Sequence, residues 1–67
     1  MVKNRLNEIR HELKLNTQKQ MAELLGIRPE QYNRYERQIT QPTLEVALQI
    51  AHNLNRPVES IFYQEPK

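Results

Sequence analysis

The sequence predicts an all-α fold in one small domain. Several stretches place apolar residues at the i, i+3, i+4 and i+7 spacing of a helix, and no stretch alternates apolar and polar residues for long. Helix start and stop signals separate these stretches, among them a capping box at residues 17–20, a single glycine and three internal prolines. Because the chain has 67 residues and no cysteine, all helices must share one core.

The first helix is expected over residues 3–14. Leu6, Ile9 and Leu13 lie on one face at helical spacing, so this stripe should pack on the core. Arg10 lies on the same stripe, and a charge there requires an oppositely charged partner.

A second and a third helix should follow in close succession. The Thr17 hydroxyl can accept a hydrogen bond from the backbone N–H of Gln20, whose side chain can return to the cap, so the second helix starts at Thr17. Gly26 suits the left-handed position that ends a helix. Pro29 suits a first helical position, which predicts a third helix within three residues. The buried face of the second helix should consist of Met21, Ala22 and Leu25.

The third helix is predicted to have one buried and one polar face. Tyr32 and Tyr35 could stack on nucleic-acid bases, but aromatic residues three positions apart on an otherwise polar helix are more often core residues, and we place both in the core. Glu36 is expected on the same side. The opposite face carries Glu30, Gln31, Asn33, Arg34 and Arg37.

The C-terminal half is predicted to hold two more helices. Thr43 should cap a fourth helix whose broad apolar surface is typical of a central core helix. Asn55 can take the left-handed cap conformation, residues 57–62 should form a short fifth helix, and residues 63–67 a flexible tail. The apolar residues of the fourth helix are Leu44, Val46, Ala47, Leu48, Ile50, Ala51 and Leu54.

Composition argues against several classes of protein. Without cysteine, and with His11 and His52 far apart, the sequence offers no metal-ligand cluster. One glycine and no aspartate leave no phosphate-binding loop and no paired-aspartate motif, so we expect neither an enzyme nor a cofactor. No apolar run approaches the roughly 20 residues of a membrane span, so we expect a cytoplasmic protein without a membrane partner.

The order of the second and third helices matches the helix-turn-helix plan. In that plan a glycine ends one helix, a turn of about three residues follows, and the second helix enters the major groove of DNA with a polar outer face. Net charge is only +2, but the basic side chains of Lys19, Arg28, Arg34 and Arg37 lie within this predicted helix-turn-helix. We therefore expect residues 17–37 to bind double-stranded DNA.

The sequence resembles the phage-repressor and Cro-like helix-turn-helix proteins, also called the XRE family, over almost its whole length. The resemblance implies a compact five-helix domain of the lambda-repressor-like type, from a bacterium or a phage, whose third helix reads bases. The resemblance rests on the segments Asn4-Arg5-Leu6, Ile9-Arg10, Thr17-Gln18, Met21 to Ile27, Tyr32 to Arg37, and Pro42-Thr43-Leu44 with the residues that follow as far as Leu54.

The resemblance also implies contacts with the DNA backbone. Gln18 matches the glutamine that opens the family's second helix and touches phosphate or base. Lys19 and Arg28 could contact phosphate or could only keep the surface soluble, and the sequence leaves both readings open.

Base contacts are implied for the polar face of the third helix. Arg34 could donate two hydrogen bonds to guanine, and Gln31 or Asn33 could pair with adenine. Glu30 could accept from cytosine, while Pro29 can offer only an apolar contact. The whole predicted DNA-binding set is Gln18, Lys19, Arg28, Pro29, Glu30, Gln31, Asn33, Arg34, Arg37, Thr40 and Gln41.

Arg10 and Glu36 match an arginine and a glutamate that the family often pairs inside the fold. The turn after the first helix is one residue longer than usual, so His11 is the alternative partner of Glu36. Arg28 replaces the usual serine or threonine cap of the third helix, and Gln38 replaces a common glycine after it.

Two functions of different class remain. The first is a homodimeric repressor on a two-fold operator, with dimer contacts at Ile39, Phe62 and Tyr63 and without a pocket for a small-molecule effector. The alternative is an antitoxin or co-regulator that uses the same fold to hold another protein. The side chains that converge on the third helix favour DNA.

Overall fold

The computed structural model describes residues 1–66, which are mostly helical. The expected tail residue Lys67 lies outside this range. Four α-helices pack around one core, whereas the sequence predicted five. The elements in chain order are β1 (Val2–Asn4), α1 (Leu6–Glu12), α2 (Gln18–Leu25), α3 (Pro29–Glu36), α4 (Leu44–Leu54), a 3₁₀ turn (Val58–Ser60) and β2 (Phe62–Gln64).

The two chain ends form an antiparallel two-stranded sheet, which the sequence analysis missed. Val2 pairs with Gln64, Lys3 with Tyr63 and Asn4 with Phe62. Residues 3–5 are therefore not the first turn of a helix, and Tyr63 and Gln64 are not a frayed tail. Three-residue strands are too short to show alternation, and their pairing depends on residues about 60 positions apart, so no local pattern predicts them.

The expected fifth helix at residues 57–62 is only one 3₁₀ turn. Pro57 precedes it in extended conformation, and Phe62 already belongs to β2. Since β2 must run antiparallel to β1, the backbone leaves the helical region after Ile61.

The boundaries of α2 and α3 follow the predicted local chemistry. The backbone N–H of Gln20 donates to the Thr17 hydroxyl at 3.1 Å, and the N–H of Thr17 donates to the Gln20 side chain at 3.2 Å, which completes the capping box. Gly26 ends α2 at φ 72°, where a Cβ would lie 3.1 Å from the Gln49 amide nitrogen. Pro29 is the first residue of α3.

The core lies between the four helices and the sheet. Tyr32 and Tyr35 are buried in it, as their spacing predicted. Its fully buried large side chains are Tyr32, Leu6, Ile9, Met21, Leu25, Ile50 and Ile61.

Helix α4 is less deeply buried than its composition suggested. Thr43 caps it through the N–H of Val46, and Asn55 ends it at φ 55°, as predicted. Leu44 and Leu48, however, are 73% and 52% exposed. The core formed by the described residues does not extend far enough around α4 to cover these two leucines. No helix within residues 1–66 is long and apolar enough to cross a membrane.

Candidate nucleic-acid interface

Helices α2 and α3 present a polar surface on the side away from the core. The turn between them consists of Gly26, Ile27 and Arg28, so three residues separate the last residue of α2 from the first residue of α3. On α3 the side chains of Glu30, Gln31 and Arg34 are exposed, as is Arg37 directly after it, while Asn33 is half-buried. The third helix therefore offers a row of hydrogen-bonding groups to a partner.

The basic side chains on this surface are free for an anionic partner. Within residues 1–66, the ion pairs join Lys3 to Glu65, Arg10 to Glu36 and Arg56 to Glu12. None of them uses the exposed cations of the α2–α3 region, which are Lys19, Arg28, Arg34 and Arg37. Arg28, Glu30, Gln31 and Arg34 line a shallow concavity at the start of α3.

Glu36 connects this surface to the core. Arg10 donates to its two carboxylate oxygens, from Nε at 2.9 Å and from Nη2 at 3.2 Å, and the Tyr32 hydroxyl also donates to it. The Glu36 side chain is only 6% exposed. The partner of Glu36 is thus Arg10, while His11 is exposed. Arg10 also donates to the Leu15 carbonyl at 3.1 Å, which fixes the turn that leads into α2.

The ionisation states of Glu36 and of the side chains bonded to it follow from their contacts. Burial alone would raise the pKa of Glu36, but hydrogen bonds from Arg10, Tyr32, Gln18 and Asn7 outweigh it and lower the pKa from 4.5 to about 2. Burial and the adjacent Glu36 raise the pKa of Tyr32 above its ordinary value, and the hydrogen bond to Glu36 raises that of Arg10. Glu36 is therefore a carboxylate at neutral pH, and Tyr32 is a neutral donor.

Two amide side chains continue this network to the surface. The Gln18 Nε2 donates to Glu36 Oε1 at 3.2 Å, and the Gln18 Oε1 accepts from the Asn33 Nδ2 at 2.8 Å. Gln18, the first residue of α2, is thereby tied to the polar face of α3. Both side chains are half-buried.

A family model described as helix-turn-helix, of the XRE type, matches residues 7–61. The chain belongs to the helix-turn-helix family. The resemblance to the phage-repressor and Cro-like proteins is thereby confirmed, and the protein is a DNA-binding transcriptional regulator by family. A search of curated proteins finds no match.

Part of the predicted DNA-binding set of this helix-turn-helix protein is engaged within the fold. The Gln41 amide donates to Gln38 Oε1 and accepts from Asn4 Nδ2, both at 2.9 Å, whereas Thr40 is exposed. Asn4 is 4% exposed and also donates to the Tyr35 carbonyl at 2.8 Å. The Gln38 side chain in turn bonds the backbone N–H and C=O of Asn4 at 3.2 and 2.9 Å.

Sequence reasoning overlooked this glutamine and asparagine cluster. Asn4 accepts from the N–H of Leu6 at 3.1 Å, a local turn that an asparagine two residues before a helix can indicate. The contacts with Gln38 and Gln41 join residues more than 30 positions apart, and sequence spacing gives no sign of them.

The predicted dimer contacts differ in their surroundings. Ile39 is 56% exposed in the loop between α3 and α4. Phe62 packs against the core, so it is less available than the sequence suggested. Tyr63, 37% exposed, lies under the Arg5 guanidinium at 4.3 Å from the ring centroid.

Within residues 1–66 no group of three or more acidic or histidine side chains could hold a metal ion.

Proposed function

We propose that this helix-turn-helix protein binds a specific site on double-stranded DNA as a homodimer and represses transcription by occupying an operator. The observation that carries the proposal is the polar face of α3, where Gln31 and Arg34 are exposed and Asn33 is half-buried, in a chain that belongs to a DNA-binding family. The proposal places the protein in the cytoplasm of a bacterium, beside its nucleoid, or in a phage-infected cell.

The chemistry of α3 suits the major groove. Arg34 is exposed and has no internal ion pair within the described chain, so its planar guanidinium is available for two hydrogen bonds to guanine. Gln31 and Asn33 carry the acceptor and donor that match adenine, and Glu30 can accept from cytosine. Pro29, at the start of the helix, contributes an apolar contact.

Contacts with phosphate would orient α3 in the groove. Lys19 and Arg28 flank it from α2 and from the turn, and Arg37 follows its last residue. Gln18, Thr40 and Gln41 complete the proposed footprint. Gln18 and Gln41 are held by internal hydrogen bonds, which reduces the conformational entropy lost on binding.

The size of the described chain is compatible with the proposed homodimer. Its longest dimension is 32 Å, so two copies side by side can place their third helices about one turn of DNA, roughly 34 Å, apart. Exposed Ile39 and Tyr63, with Phe62 beside it, form the proposed contact.

The test is selection of bound sequences from a random duplex pool at near-physiological salt. A two-fold symmetric site should be enriched, and Arg34→Ala should abolish its recognition. Arg56→Ala is the matched control, because Arg56 pairs with Glu12 at 3.0 Å rather than belonging to the α2–α3 surface. Absence of any enriched sequence with the folded protein would contradict the proposal, and a monomer at micromolar concentration in sedimentation would contradict the homodimer.

One observation favours a protein partner as the second candidate function. Leu44 and Leu48, one turn apart on α4, are exposed and could contact an apolar surface of another protein. In an antitoxin or co-regulator, Arg34→Ala would leave partner capture intact, whereas Leu48→Lys would abolish it. The polar face of α3 has no role in such a protein, so we prefer DNA.

A further inference from the structure

The buried carboxylate of Glu36 determines which end of the Gln18 amide faces it. Glu36 is ionised, and its Oε1 already accepts from Asn7 at 3.0 Å and from Arg10 at 3.2 Å. An ionised carboxylate only accepts hydrogen bonds, so a flipped Gln18 would place its carbonyl oxygen against a negatively charged carboxylate oxygen. The Gln18 NH₂ group therefore points to Glu36, and its carbonyl oxygen points away.

The orientation of the Gln18 amide determines the orientation of the Asn33 amide in the same way. The outward carbonyl oxygen of Gln18 accepts from the Asn33 NH₂ group at 2.8 Å. A flipped Asn33 would bring two carbonyl oxygens together and lose this bond. Among the residues that the structure describes, no hydrogen bond uses the Asn33 Oδ1. Asn33 thus retains one acceptor and one N–H for an external partner.

We infer that the hydrogen-bonded series Glu36–Gln18–Asn33, here called the amide relay, makes Asn33 the adenine-reading residue of the interface. Adenine presents a donor at N6 and an acceptor at N7 in the major groove, which match the free acceptor and N–H of Asn33. Guanine presents two acceptors there and would require two donors. The inference rests on the proposed function and deepens it, because it assigns a base to one residue and makes Gln18 a positioning residue.

Gln31 is the natural comparison, since it is the other amide on the face of α3. It is exposed, and within residues 1–66 no hydrogen bond orients its side chain. A free glutamine can present either end of its amide, so its base preference is weaker and more dependent on salt and neighbouring contacts. The relay therefore separates two residues that the sequence alone left equivalent.

The first test needs no DNA. In the free protein, Gln18→Met removes both hydrogen bonds of residue 18 but keeps its length. Compared with the unmodified protein, the NMR spectrum of the Gln18→Met variant should show displaced side-chain NH₂ resonances for Asn33. The Gln31→Ala variant should leave these resonances in place. Unmoved Asn33 resonances in a folded Gln18→Met protein would overturn the relay, whatever the protein binds.

The second test measures base preference with the same variants, after thermal unfolding has verified that each is folded. At one base-pair position, Asn33→Ala should lower the preference for adenine by about tenfold, and Gln18→Met should lower it at the same position by about fivefold. Gln31→Ala should act at a different position.

The outcomes of this experiment are distinguishable. If the unmodified protein selects no sequence, the proposed function fails, and with it the assignment of a base. If Asn33→Ala alters a position that does not hold adenine, the assignment fails while DNA binding stands. If Gln18→Met weakens all sequences equally, Gln18 is only a phosphate contact, and its positioning role is overturned.

Discussion

Glu36 joins side chains from several elements of the fold. Four side chains donate five hydrogen bonds to its two oxygens, from Asn7, Arg10, Gln18 and Tyr32. Since an ionised carboxylate has about four lone-pair sites, its capacity to accept is fully used. The contacts come from α1, α2 and α3, so loss of this charge affects the packing of these three helices.

The ionisation of Glu36 predicts loss of stability in acid. Its pKa is lowered from 4.5 to about 2 in the folded protein, so its contribution is fully present above 4.5 and is lost as pH falls toward 2. We expect the free energy of unfolding to decrease by a few kcal/mol over this range, measured by urea denaturation at successive pH values. Glu36→Gln should flatten this profile, whereas Glu8→Gln, an exposed carboxylate on α1, should preserve it. Equal profiles for the two variants would contradict the role of Glu36.

Two residues in the left-handed conformation predict opposite responses to glycine. Lys14 and Gln38 have φ values of 60° and 64°, and a non-glycine residue pays roughly 1 kcal/mol or more for that conformation. Exposed Lys14 makes no side-chain hydrogen bond within residues 1–66, so Lys14→Gly should stabilise the protein by about 1 kcal/mol. Gln38→Gly should destabilise it by about 1–2 kcal/mol, because Asn4 and Gln41 lose their partner. Thermal and denaturant unfolding of both variants measure these changes in the free energy of unfolding. Stabilisation by Gln38→Gly would show that the hydrogen bonds of Gln38 with Asn4 and Gln41 do not contribute to stability.

At the scale of elements, the two-stranded sheet closes the domain by joining its ends. The Arg5 N–H donates to the Ile61 carbonyl and the Glu65 N–H to the Met1 carbonyl, both at 2.8 Å. Both bonds continue the register of the strands. In an antiparallel ladder, hydrogen-bonded and non-bonded pairs alternate, so Lys3 and Tyr63 form the hydrogen-bonded pair that lies between them. The sheet thereby holds the start of α1 next to the end of the chain.

This alternation predicts a positional effect of proline in β2. Tyr63→Pro removes an N–H that bonds to β1, whereas the N–H of Gln64 points away from β1. We expect Tyr63→Pro to lower the free energy of unfolding by about 2–3 kcal/mol and to increase hydrogen exchange at Lys3 and Arg5. Gln64→Pro should have a much smaller effect on both measurements. Comparable destabilisation by the two prolines would contradict the strand register.

At the scale of the whole molecule, the distribution of charge matters more than its sum. A net charge of +2 gives little long-range attraction to DNA. The cations without ion pairs in the described chain nevertheless include Lys19, Arg28, Arg34 and Arg37, which lie together on α2, α3 and the turns next to α3. We therefore expect binding to depend on local phosphate contacts, and hence on salt concentration.

A single phosphate contact is measurable through this salt dependence. Lys19→Ala should weaken binding to all DNA sequences alike and reduce the slope of log K against log salt by about one per subunit. Arg56→Ala is the control, because its guanidinium already pairs with Glu12. A change of base preference in Lys19→Ala, with an unchanged slope, would contradict the assignment of this lysine to the backbone.

The sequence by itself determined the central part of the molecule. The capping box at Thr17, the left-handed Gly26 and Pro29 at the start of α3 are local signals, because each depends on residues within one helical turn. The burial of Tyr32 and Tyr35 followed from helical spacing. These features establish the helix-turn-helix and the polar face of α3 that lies away from the core.

Only the tertiary structure decided the features that join distant residues. The strand pair links Lys3 to Tyr63, and the choice of Arg10 over His11 depends on how α1 packs against α3. The orientation of Asn33 depends on Gln18, 15 positions earlier, which in turn depends on the buried charge of Glu36. Hydrogen-bond direction and strand register are properties of groups brought together by packing, and the order of residues along the chain does not encode them locally.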